Sequence, residues 1–155
     1  MKEADFVRQS LTQLRKKDRV VLKHSDRFTT GIPDISCTAR GKTTWLEFKA
    51  VDEQPIERVA HPQDQLQLHT MWRLATYGRA IYVICDNDHI TVWHPEYLVR
   101  RIITDKNYYW TDEMYVKANG QHDLGLIEGL VKNVSKDPIW FPEWDLTVLD
   151  ILVEV

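Results

Sequence analysis

The chain has 155 residues, enough for one core of moderate size and too few for two large domains. Apolar residues make up 43% and charged residues 28%, which excludes a disordered or collagen-like chain. The net charge of −3, from 20 Lys and Arg against 23 Asp and Glu, argues against a uniformly basic coat for nucleic acid or membrane.

Charge is unevenly spread. Residues 1–50 hold 11 basic and 6 acidic side chains, residues 51–101 hold 5 and 7, and residues 102–155 hold 4 and 10. Such a split is expected where one part faces a polyanion and another faces solvent or protein. Cys37 and Cys85 are too few for a disulfide framework or a four-cysteine metal site, which points to a reducing compartment. The charged start Met1-Lys2-Glu3-Ala4-Asp5 lacks the apolar stretch of a secretory signal, and no run approaches the roughly 20 apolar residues of a membrane span. A soluble, cytoplasmic protein with no membrane partner is the expectation.

Phe6, Val7, Leu11 and Leu14 recur at helical spacing, which predicts an amphipathic helix over 3–17 that ends near Lys16-Lys17-Asp18. Val20-Val21-Leu22 marks a short strand over 19–24, followed by a polar loop over 25–30 and a turn at Gly31; His24, beside that loop, reads as a surface residue rather than a phosphate contact. Strands over 32–38 and 43–51 are rich in Ile, Thr, Trp and Phe, and Ala39-Arg40-Gly41-Lys42 joins them as a hairpin. Pro55 and Pro62 bracket a polar surface loop over 52–62. Leu68, Met71, Trp72 and Ala75 define a helix over 63–77, with Gly78 placed as a left-handed cap. Ala80 to Cys85 reads as a buried strand, and the turn Asp86-Asn87-Asp88 leads to another over 89–93. A short helix follows from Pro95 to about residue 103. Another is predicted over 123–134, weakened by Gly125 and Gly129, and residues 146–155 are apolar without a clean period.

Three charged residues stand in the hairpin that ought to be apolar: Asp34, Glu47 and Lys49. Glu47 and Lys49, two apart in Thr44-Trp45-Leu46-Glu47-Phe48-Lys49-Ala50, share one face of a strand. A two-residue turn at Arg40-Gly41 pairs Ala39 with Lys42 and, stepping outward, Asp34 with Glu47. Opposed carboxylates repel unless a cation or proton lies between them. Hard oxygen ligands without a cysteine cluster suit Mg²⁺ or Mn²⁺, ions that acidify bound water and stabilise charge on a phosphoryl oxygen. A neighbouring ammonium such as Lys49 can orient the attacking hydroxide or neutralise the transition state. The chemistry implied is phosphodiester hydrolysis.

Gly31-Ile32-Pro33-Asp34 followed by Glu47-Phe48-Lys49 resembles the PD-(D/E)xK nuclease superfamily, in particular its VRR-NUC and Holliday-junction-resolvase-like branches. The resemblance covers roughly the first 95 residues. It implies an α/β, restriction-endonuclease-like core: a helix, a mixed sheet built around the motif hairpin, a second helix and a further strand. It implies Asp34 and Glu47 as metal ligands, the backbone carbonyl of Phe48 as a candidate third, Lys49 as the catalytic lysine, and an acid from the first helix. Glu3 is the best candidate for that acid, since it lies on the inward stripe with Phe6 and Leu14, whereas Asp5 points elsewhere. The VRR-like branch also places a glutamine early in the next helix. Of Gln63, Gln65 and Gln67, Gln65 shares the face of Leu68 and Trp72 and is favoured, with Gln67, on the side of Met71 and Leu74, in reserve.

Arg15, Lys16, Lys17, Lys23, Arg27 and Arg40 concentrate in the part that carries the motif and would contact phosphates without reading sequence. His61 with His69, and His89 with His94, lack the spacing of a zinc-binding helix and nominate no zinc site. The chain divides into a nuclease-like core over 1–103 and an acidic, aromatic-rich C-terminal extension over 104–155, which holds Tyr108-Tyr109-Trp110, Trp140-Phe141-Pro142 and Trp144. Aromatic density with acidity suits packing on the core or a homodimer interface better than DNA contact. The expectation is a Mg²⁺- or Mn²⁺-dependent deoxyribonuclease acting on structured or branched DNA, in the setting of a phage or mobile element. The alternative is a catalytically silent fold of the same kind that binds DNA or a partner protein.

Overall fold

The computed structural model describes residues 2–25, 31–51, 65–86, 88–104, 115–120 and 123–155, and the side chains of all of these but 101–104. Arg27, the loop over 52–62 and the aromatic run 108–110 lie outside the described residues. Helix α1 (Glu3–Leu14) forms where the apolar spacing puts it, with Phe6, Val7, Leu11 and Leu14 buried, but it stops at Leu14 rather than residue 17. Its last turn closes through the Arg15 N–H on the Leu11 carbonyl, and the charged residues after it continue as turns.

Strands β1 (Val20–Lys23), β2 (Ile35–Ala39) and β3 (Lys42–Ala50) are antiparallel. Arg40 and Gly41 both take positive φ, 52° and 75°, as a two-residue type I′ turn requires, and that turn matches the right-handed twist of its strands. The register expected from the turn is the observed one. Ala39 pairs with Lys42 and Ile35 with Leu46, so the next residue, Asp34, falls opposite Glu47.

Helix α2 (Gln65–Tyr77) is the crossover that lets β4 (Ala80–Cys85) run parallel to β3. Strand β5 (Ile90–Trp93) returns antiparallel and helix α3 (Pro95–Thr104) follows. Gly78 does not adopt the left-handed cap expected of it: among the described glycines, Gly31 and Gly41 are those with positive φ.

The remaining elements are β6 (Val116–Lys117), α4 (Leu124–Val131), β7 (Ile139–Phe141) and α5 (Val148–Glu154). Neither β6 nor β7 is legible in the sequence. Strand β7 pairs with β5, and β6 with β7, so the chain forms one seven-stranded mixed sheet in the order β1-β2-β3-β4-β5-β7-β6. The protein is mixed α/β.

Strand alternation divides the apolar side chains between two layers. Leu46, Phe48, Val83, Val92 and Phe141 join the core that contains α1, α4 and α5. Tyr82, Ile84 and Trp93 pack with Leu68 and Met71 of α2 and Leu98 of α3. Glu47 and Lys49 therefore face the α2 side. The acidic segment shares the larger core through Ile127, Leu130, Leu149 and Leu152. Its charges also find partners inside the molecule: the fully buried Arg19 side chain donates to the Leu14 carbonyl at 3.2 Å, to Asp150 at 2.6 Å and to Glu154 at 2.9 Å. Both cysteines are buried and free, and no described helix is long and apolar enough to cross a membrane.

Candidate active site

Strand β3 outlasts β2. Counting outward from the turn, its hydrogen-bonded positions toward β2 continue to Phe48 and Ala50, yet β2 begins only at Ile35. Two carboxylates take the N–H groups left over: Asp34 Oδ2 accepts the Phe48 N–H at 3.0 Å, and Glu3 Oε1 accepts the Ala50 N–H at 3.3 Å. Asp34 is fixed from its other side, where its backbone carbonyl accepts the His24 N–H at 2.8 Å. The residue that would face Phe48 in this register is Pro33, which has no N–H, so β2 offers no donor to the Phe48 carbonyl.

Gly31 makes this approach possible. Its φ is +89°, and a Cβ there would sit 3.1 Å from Thr70 Oγ1 and 3.2 Å from Leu66 of α2. A larger residue would be strained in the backbone and crowded against the helix.

On the α2 face, Glu47 and Lys49 are 2% and 4% exposed, with Lys49 Nζ 3.5 Å from Glu47 Oε1. Glu47 Oε2 is buried and makes no hydrogen bond among the described residues. Burial pushes the Glu47 carboxyl up to about 10, a hydrogen bond to Asp34 and the Asp34 charge push the same way, and Lys49 opposes without cancelling them. At neutral pH the side chain keeps its proton unless a further cation arrives.

Among the described residues, no three His, Cys, Asp or Glu side chains are grouped to hold an ion by themselves. Mg²⁺ does not need three, because it commonly takes one or two carboxylates and keeps several waters. The buried Glu47 oxygen without a partner, close to Asp34 and to a carbonyl that β2 leaves without a donor, fits a small hard cation such as Mg²⁺ or Mn²⁺.

The fold thus brings Asp34, Glu47, Phe48, Lys49 and Glu3 to one end of β3. Gln65 is exposed at the start of α2, whereas Gln67 is partly buried and its amide oxygen has no hydrogen-bond partner; the reserve glutamine is the one turned inward. His24, expected at the surface, is half-buried instead. Its ring nitrogen Nε2 lies 2.8 Å from Ser36 Oγ and its ring 5.2 Å from that of Trp45, because the pairing of β1 with β2 extends one residue past Lys23.

The expected phosphate contacts separate. Lys23 pairs with Ile35 and is exposed at the Asp34 end of the sheet. Arg15, Lys16 and Lys17 follow the C-terminus of α1, about 18 Å of helix away from Glu3, and Arg40 occupies the hairpin turn, about 20 Å of strand from Asp34. They stand at the end where helices finish and partial negative charge collects. Arg79 donates there to the Leu152 and Val155 carbonyls of α5 at 3.1 and 2.6 Å, and Arg40 reaches Glu154 at 3.0 Å. Nearness in sequence is a poor guide here, since one strand carries the chain across the whole molecule.

No protein-family model matches the chain, and no curated protein matches it. Among solved structures, it is similar to Hjc, a Holliday junction resolvase of the archaeal hyperthermophile Archaeoglobus fulgidus. The identity is 17%, the match covers 62% of this chain and 75% of that one, and the TM-score is 0.43.

Proposed function

We propose that the protein is a metal-dependent nuclease that hydrolyses DNA phosphodiester bonds at the carboxyl end of β3, with structured or branched DNA as its substrate. The reading rests on one observation: a nearly inaccessible Glu47 held between the Lys49 ammonium, 3.5 Å away, and the Asp34 carboxyl group, at a strand end. Two carboxyl groups brought together in a dry site cost stability unless a proton or a cation lies between them.

Asp34 and Glu47, with the Phe48 carbonyl, would hold a Mg²⁺ or Mn²⁺ ion, which when bound supplies positive charge for a phosphoryl oxygen and a more acidic water, and Glu3 would stand beside them at the Ala50 N–H. Asp34 and Glu3 hold the last residues of β3 in place through the Phe48 and Ala50 N–H groups. Lys49, fixed by burial and by Glu47, places an ammonium where negative charge grows on the attacked phosphate, and it needs no solvent reorganisation to act. Gln67, with its amide oxygen turned into the protein, is the α2 glutamine suited to a supporting role.

The test is incubation of supercoiled plasmid and a four-way junction with Mg²⁺, with Mn²⁺ and with EDTA, alongside Asp34→Ala and Lys49→Ala. Cleavage that requires the metal and both side chains supports the reading. Cleavage that ignores EDTA or survives both substitutions overturns it, and a folded protein that binds DNA without cutting favours the silent binding module.

A further inference from the structure

A groove of about 570 Å³ opens on the α2 side of the sheet, between Trp45 of β3 and Leu66, His69, Thr70, Arg73 and Tyr77 of α2. Trp45 and Glu47 stand two residues apart on the same strand face, so the groove begins within about 7 Å of the carboxylates. None of its lining residues is acidic, in a chain whose net charge is −3. Arg73 is exposed and forms no ion pair among the described residues. The Trp45 indole is braced by the His24 ring at 5.2 Å, and His24 is held in turn by Ser36. Tyr77, 85% exposed, stands at the far end.

A rigid aromatic wall, an exposed guanidinium without an ion pair among the described residues and the volume of a small-molecule site together suit a planar base carrying an anionic phosphate. Resting on the nuclease reading, we propose that this groove receives an unpaired nucleotide of the substrate, its base stacked on Trp45 and its phosphate at Arg73. A continuous duplex keeps its bases stacked and paired and has none to offer. The groove therefore selects single-stranded or branched DNA over blunt duplex and delivers the adjacent phosphodiester to Glu47 and Lys49. Stacking on an aromatic is indifferent to base identity, so the preference is for structure and not for sequence.

Binding is measured in EDTA by fluorescence anisotropy, with a labelled single-stranded oligonucleotide and a blunt duplex of the same length, so that no cleavage is needed for a readout. Wild type should prefer the single strand. Trp45→Ala should cost the single strand about tenfold more affinity than it costs the duplex, Trp45→Phe should recover most of that difference, and Arg73→Ala should lower the salt dependence of binding. Circular dichroism confirms that each variant is folded, and Tyr77→Ala, at an exposed site, provides a second probe of the same groove. Equal losses on both ligands, or an unchanged single-strand preference in Trp45→Ala and Tyr77→Ala, would overturn the proposal. So would a self-association that Trp45→Ala abolishes while DNA binding stays as it was, because the groove would then be a protein interface. The two readings fail separately: Trp45-dependent binding without metal-dependent cleavage retains the groove and removes the nuclease, and cleavage through Lys49 without a Trp45 effect does the reverse.

Discussion

The Asp34 carboxylate accepts the Phe48 backbone N–H at 3.0 Å, so a proposed metal ligand also finishes the ladder of the strand that carries the other two charged residues. The two roles can be separated. Asp34→Asn keeps an acceptor and removes the charge, whereas Asp34→Ala removes both. Asp34→Asn should unfold in urea within about 0.5 kcal/mol of wild type, while Asp34→Ala should lose about 1–2 kcal/mol for the abandoned N–H. Plasmid cleavage should fall by about a hundredfold or more in both. A stable Asp34→Asn that cuts normally would leave the residue with a structural role alone.

Glu47 gives a pH signature with a definite sign. Its carboxyl is raised to about 10 by burial first and by Asp34 next, above the value of about 4.3 in an unfolded chain. The folded state therefore holds a proton that the unfolded state gives up. The associated stability is full below about pH 4 and is lost progressively as pH rises toward the folded value. Glu47→Gln, which cannot ionise, should gain stability relative to wild type as pH rises from 5 to 9. Mn²⁺ or Mg²⁺, which must displace that proton, should bind wild type more tightly at higher pH and leave Glu47→Gln unaffected. Denaturant midpoints and calorimetric titrations across this range check both statements. A wild-type-minus-variant difference that stays flat would show that Glu47 is ionised in the fold.

The hairpin and its register were legible because one local signal fixed them: a two-residue turn at Arg40-Gly41 leaves a single pairing that keeps Leu46 and Phe48 on the core face. Asp34, Glu47 and Glu3 followed from that register and from the apolar stripe of α1. Strands β6 and β7 were not legible, because strands of two and three residues carry too few positions to show alternation. The partners of the cations are not legible for another reason. Part of the basic excess of residues 1–50 is met by the acidic segment, where buried Arg19 pairs with Asp150 and Glu154 and exposed Arg40 reaches Glu154, and a pairing between distant parts of a chain leaves no trace in local composition.

His94, which follows β5, supplies a second pH dependence of opposite sense. It is buried, its Nδ1 accepts the Glu96 N–H at 3.1 Å, and burial lowers it to about 4. Glu96 favours its protonation and Lys136 disfavours it. Below about pH 6.5 the unfolded chain takes up a proton that the fold refuses, so stability falls as pH drops from there toward 4, by roughly 2–3 kcal/mol in all. His94→Asn keeps an acceptor for the start of α3 and should flatten that decline. Urea unfolding at pH 7.0, 5.5 and 4.5 measures it, and parallel curves for the two proteins would mean that His94 titrates normally in the fold.

Residues 1–103 should not fold alone. Cutting there removes β7, the partner of β5, and takes Ile127, Leu130, Ile139, Phe141, Leu149 and Leu152 out of the core. At about 1.5–3 kcal/mol for each buried side chain, the loss is comparable with the whole stability of a domain this size. It also strips Arg19, whose side chain is fully buried, of both Asp150 and Glu154. A buried charge that loses its partner costs about 3–5 kcal/mol. The fragment should therefore show no cooperative melting by circular dichroism and rapid digestion by trypsin, while the full chain melts in one transition. Light scattering of the full chain then reports on self-association without a misfolded fragment to confuse it. A fragment of residues 1–103 that melts cooperatively would establish that the acidic segment covers a complete domain instead of finishing one.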